Sequence, residues 1–144
     1  MSELQKHIAL VKTSIQEAQA LNGVERLSAE MLERFFAVFP EAEEIFEPFD
    51  RKQVNMTKFY RVGEALIDVL EHPHYSETAV YEEVYRHRTY SIKDKEYYFV
   101  MADSFVATLK NTLRDSWTDD HEEVWNDALA ALKHNVSLAA KKLL

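Results

Sequence analysis

Apolar residues recur at three- and four-residue steps along almost all of this 144-residue chain, and very little interrupts them. Gly23 and Gly63 are its only glycines, and Pro40, Pro48 and Pro73 its only prolines. Turn-rich β architectures need more of both. Over residues 4–21 the sequence places Ile8, Val11, Ile15 and Ala18 at helical spacing. Asn22-Gly23 supplies a stop, since glycine tolerates the left-handed conformation at a helix end. A second helix, over about residues 24–39, carries Leu27, Met31, Leu32, Phe35 and Phe36 on its buried face. Pro40 fits the first turn of a short segment reaching Phe46, which Glu47-Pro48-Phe49 breaks.

A loop through Asp50-Arg51-Lys52 precedes a longer helix over about residues 54–71, with the stripe Phe59, Val62, Leu66 and Val69/Leu70. Ser76 is a plausible N-cap for the segment carrying Val80, Val84 and His87. Residues 94–114 repeat the pattern with Tyr98, Ala102, Phe105, Leu109 and Leu113. Thr118 caps a last helix bearing Trp125, Leu129, Leu132, Val136 and Ala139. The expectation is an all-α chain of six or seven helices, one domain over residues 1–144, of a size that supports one core but not two.

Composition removes whole classes of function. There is no cysteine, hence no disulfide, thiolate nucleophile, iron–sulfur ligation or covalent c-type haem attachment. Seventeen Lys+Arg against 25 Asp+Glu leave a formal charge of −8 and no basic stripe, which argues against a nucleic-acid partner. No glycine-rich phosphate loop is present. The start lacks a signal-peptide pattern and no apolar run approaches membrane-spanning length, so the expectation is a cytoplasmic protein without a membrane partner. His72 and His74 flank a proline next to Glu71, a spacing that reads as a surface loop rather than a metal site.

The stretch from Tyr85 to Tyr97 ends one helical pattern, turns, and starts another, with His87 on the last turn of the first. Imidazole is the commonest protein ligand for metals and a standard axial ligand of haem iron. A histidine near a helix C-terminus is also favoured for its charge alone. The residues around it bear on the choice.

Phe35-Phe36, then Pro40-Glu41, then Ile45-Phe46-Glu47-Pro48-Phe49-Asp50 resemble the second-to-third helix region of globins. Arg86-His87 followed by Tyr90, Ile92 and Tyr97 is similar to the proximal segment of bacterial haemoglobins and flavohaemoglobin globin domains. Leu109 to Asp115, then Trp117-Thr118, looks like their penultimate helix and its turn, and Trp125 matches a tryptophan common in their last helix. The resemblance covers almost the whole chain. It implies a globin fold, helices arranged three over three around a haem pocket, in a single-domain bacterial-type haemoglobin.

It further implies haem b (iron protoporphyrin IX) with His87 as the metal ligand, Phe46 stacked on it and Phe49 beside Phe46. Val84 shares the histidine's helical face, Ile92 packs from the following turn, and Tyr97, Leu66 and Phe105 complete the walls. Arg61 and Arg86 are the rim candidates for the propionates. Counting back from His87 without a gap puts Lys58 at the ligand-gating position, Val62 above the iron and Leu32 across from it. A longer connection would put Asn55 and Phe59 there instead. Leu32 stands where many bacterial members carry a tyrosine. Lys58 is expected at the pocket mouth near a propionate, because a buried ammonium is costly and lysine snorkels outward. Glu83 replaces the family's usual leucine four residues before the histidine. It either faces water or turns inward to accept a hydrogen bond from the imidazole.

The function so implied is reversible binding of oxygen, nitric oxide or carbon monoxide. One alternative is nitric oxide dioxygenation, for which a chain ending at Leu144 would need an external reductase. The other is a haem-free or sensory globin module acting through partners.

Overall fold

A computed structural model describes residues 1–144 and contains seven α-helices, three short 3₁₀ segments and no strand. The helices are α1 (Glu3–Asn22), α2 (Val24–Val38), α3 (Glu43–Phe46), α4 (Arg51–Glu71), α5 (Pro73–His87), α6 (Glu96–Leu113) and α7 (Asp119–Leu143). No helix is long and apolar enough to cross a membrane.

Local chemistry explains most boundaries. Ser2 and Gln5 form a capping box: the Ser2 hydroxyl accepts from Gln5 N–H at 3.1 Å, and Gln5 Oε1 accepts from Ser2 N–H at 2.9 Å. Thr118 opens α7 as expected, its hydroxyl accepting from His121 N–H at 3.3 Å. Gly23 ends α1, but at φ +76°, ψ 153°. That is an extended positive-φ conformation open essentially to glycine, rather than the left-handed helical one expected.

Two boundaries depart from the sequence reading. Asp50, Arg51 and Lys52 are not a loop: Asp50 is the N-cap of α4, accepting from Gln53 N–H at 3.3 Å, and Arg51 and Lys52 are helical. Nor does Ser76 cap α5. Pro73 occupies the first turn, and Ser76 lies buried inside the helix, accepting from Asn135 Nδ2 of α7 at 3.1 Å.

The helices form two layers, α1, α4 and α5 against α2, α6 and α7, with α4 crossing all three of the opposite layer. Gly63 sets the α4–α6 approach, because a Cβ built there would lie 3.2 Å from Phe105 Cζ. Beneath that crossing Phe59, Phe105 and Trp125 stack in series, with centroids 4.7 and 6.0 Å apart, in the range where aromatic pairs attract. Trp125 is fully buried, and its indole N–H donates to Ser14 Oγ at 3.1 Å. Between α4 and α5 the packing opens into a cavity whose walls α6 and α7 complete.

Candidate functional site

The cavity holds about 460 Å³, within the usual range for a small-molecule or cofactor site. Twenty of its 29 lining residues are hydrophobic, so its walls favour an apolar occupant. Of the residues picked out from sequence, Phe46, Phe49, Lys58, Arg61, Val62, Val84, Arg86, His87, Ile92 and Tyr97 line it.

Leu66 and Phe105 do not; both are fully buried in the core. On α4 the cavity stripe runs through Lys58, Val62 and Ala65, and Leu66 lies one residue further round the helix. On α6 Tyr98, Met101 and Ala102 face the cavity, while Phe105, the next turn along, passes beneath it onto Phe59 and Trp125. Leu32 is likewise sealed in the core, and Phe35, one turn on, reaches the cavity in its place. Phe59 is core and Asn55 is not a wall residue; of the gap-free count from His87, Lys58 and Val62 line the cavity and Leu32 does not.

His87 is the last residue of α5, its side chain 15% exposed. Its Nδ1–H donates to the Glu83 carbonyl, one helical turn back, at 2.7 Å. Lys58 Nζ lies 2.8 Å from Nε2 on the other side of the ring. An ammonium can only donate, so Nε2 is the acceptor and Nδ1 carries the proton. This is the tautomer with an electron pair on Nε2 directed into the cavity. The rings of Tyr98 and Tyr90 flank the imidazole at 5.7 and 6.0 Å. The chain then leaves through the 3₁₀ turn Arg88–Tyr90 and Ser91, held left-handed at φ 60°.

Lys58 is not at the cavity mouth. No carboxylate lies within ion-pair distance of it, and the imidazole is the acceptor it finds. Burial pulls its ammonium below the usual lysine range; Glu83 opposes this, while Arg61 and Arg86 add to it. Burial also lowers His87, helped by the facing Lys58 charge and opposed by the hydrogen bond to the Glu83 carbonyl. The Lys58 charge therefore disfavours protonation of the imidazole.

Glu83, its side chain 30% exposed, reaches water and does not hydrogen-bond the imidazole through its carboxylate. It lies at the rim, paired with Arg86 and with Arg61 Nη1 at 3.7 Å, and Oε1 is 3.7 Å from His87 Nδ1. At that distance the carboxylate acts on the ring through its charge, and the backbone carbonyl makes the hydrogen bond. Both candidate rim cations are thus gathered on one carboxylate, which ties α4 to α5 across the opening. Tyr97 closes another side, its hydroxyl donating to Glu41 Oε1 at 2.9 Å.

Sequence reasoning missed Tyr98 and Met101 as wall residues, together with Val54 and Ala65. Helical spacing could have found them: Val54, Lys58, Arg61/Val62 and Ala65 are one stripe of α4, and Tyr98, Met101 and Ala102 one stripe of α6. Tyr98 is the most informative. Its hydroxyl is buried with no partner, and burial, then the Glu83 charge, raise its pKa well above the usual tyrosine value. An orphaned hydroxyl beside a ligand-competent imidazole marks a wall completed by something other than protein. Donor nitrogen, apolar walls and rim cations all fit an iron porphyrin with peripheral carboxylates.

The family model described as Globin matches residues 29–136. That span contains every wall residue, from Phe35 to Val136. The chain belongs to the globin family. No curated protein matches it, and no solved structure does.

Proposed function

We propose that this globin, of bacterial haemoglobin type, holds haem b in the α4–α5 cavity and reversibly binds a diatomic gas: oxygen, nitric oxide or carbon monoxide. The observation that carries the reading is the orientation of His87, with Nδ1–H tied to the Glu83 carbonyl and the Nε2 electron pair turned inward. Bound haem would supply the iron at which the gas binds. The protein's part is to hold and shield it. Glu83 O fixes the ring plane and tautomer of His87, and hydrogen bonding at the far ring nitrogen raises ligand basicity. Phe46, Val62, Val84 and Ile92 exclude water, and Arg61 and Arg86 offer cations to carboxylates at the rim.

The test is reconstitution with haemin. The wild type should develop an intense Soret band, and His87→Ala should lose it or recover it only with added imidazole. An unchanged spectrum in His87→Ala would overturn His87 as the ligand. No Soret band in the wild type would point to a haem-free module instead.

A further inference from the structure

We infer that Lys58 is a second axial ligand, so that an internal amine competes with the gas for the iron. The inference rests on the haem reading above and adds a regulatory element to it. Nζ of Lys58, on α4, and Nε2 of His87, on α5, meet at 2.8 Å from opposite walls of one cavity. The lysine is held to no alternative. Every ion pair of the chain involves other cations, and Arg61, one turn along α4, and Arg86 share the nearest carboxylate, Glu83. Val54 and Val62, one turn either side of Lys58 on the same face, offer no side-chain acceptor. Its four-carbon stem is flexible enough for Nζ to draw back along the wall and admit a planar group without displacing α4.

In the step itself the lysine nitrogen gives its electron pair to the iron, forming one N–Fe bond, and its ammonium proton passes to solvent. Gas binding reverses this: the N–Fe bond breaks, the amine recovers a proton, and the iron's oxidation state is unchanged. An occupied sixth position would slow gas association without excluding it.

The experiment compares wild type, Lys58→Leu and Lys58→Arg, each reconstituted with haemin. The readouts are the absorption and electron paramagnetic resonance spectra of the ferric form and carbon monoxide association to the ferrous form. Arginine keeps the charge and length but cannot ligate, because its guanidinium does not deprotonate in proteins. Expected are a six-coordinate low-spin wild type, two high-spin variants, and carbon monoxide association at least tenfold faster in both. A low-spin Lys58→Arg beside a high-spin Lys58→Leu would make charge the cause and overturn ligation. A high-spin wild type unchanged in both variants would overturn it too, while leaving haem binding intact. No Soret band in any of the three would fail the haem reading itself, and the inference with it.

Discussion

The surroundings of Trp125 and of His87 are built from the same kinds of residue and treat their polar atoms in opposite ways. Around Trp125 each polar group has found a partner. The indole donates to Ser14, Ser14 donates to the Val11 carbonyl at 2.8 Å, and the neighbouring Trp117 indole donates to Glu122 Oε2 at 2.6 Å. Around His87 the Tyr98 hydroxyl has none, and Lys58 faces an imidazole instead of a carboxylate. A satisfied polar network makes one packing unique, whereas an incomplete one in a cavity holds binding energy in reserve for an occupant. The first region keeps the fold and the second is shaped for a ligand.

The largest effect should come from breaking the closed region. Trp125→Ala removes the last ring of the Phe59–Phe105–Trp125 stack and should cost about 3–5 kcal/mol, measured by denaturant unfolding. The same truncation at His87 should cost the ligand-free protein less, about 1–3 kcal/mol, because it removes two hydrogen bonds at a cavity wall and no ring from the core. Equal losses at the two positions would erase the contrast.

A smaller effect of opposite sign is expected at Lys58. Lys58→Leu should stabilise the ligand-free protein by about 1–2 kcal/mol, since an apolar side chain suits walls that hold the ammonium away from water. Thermal unfolding without haem measures this. A lower melting temperature would mean that the Lys58–His87 contact is itself a net stabilising bond.

The smallest effect belongs to the edge of the closed region. The hydrogen bond from Trp117, and then Lys110, holds the Glu122 carboxyl below the usual carboxylate range. A lowered folded-state pKa contributes stability above the ordinary carboxylate value, and that contribution is lost as pH falls through the lowered one. Acid titration followed by tryptophan fluorescence should therefore show an acid limb that Glu122→Gln flattens. An identical acid limb in the variant would show that the Trp117 bond contributes nothing to stability.

The sequence by itself determined the helical inventory, the Thr118 cap, the Pro40 turn, the stop at Gly23 and the candidacy of His87. Each of these depends on groups within about one turn of chain, where spacing and side-chain chemistry act directly. Ten of the twelve pocket residues that the globin resemblance implied line the cavity: eight lie on helices, and Phe49 and Ile92 in the connections after α3 and before α6. Tertiary structure alone decided the rest. Whether Ala65 or Leu66, and whether Met101 or Phe105, meets the cavity depends on how α4 crosses α6 at Gly63, a contact between distant parts of the chain. The direction of Lys58 was decided in the same way. General physical preference sends an ammonium outward, but Glu83, the carboxylate that could have held it at the rim, is taken by Arg61 and Arg86, and the acceptor left within reach is an imidazole on the facing helix.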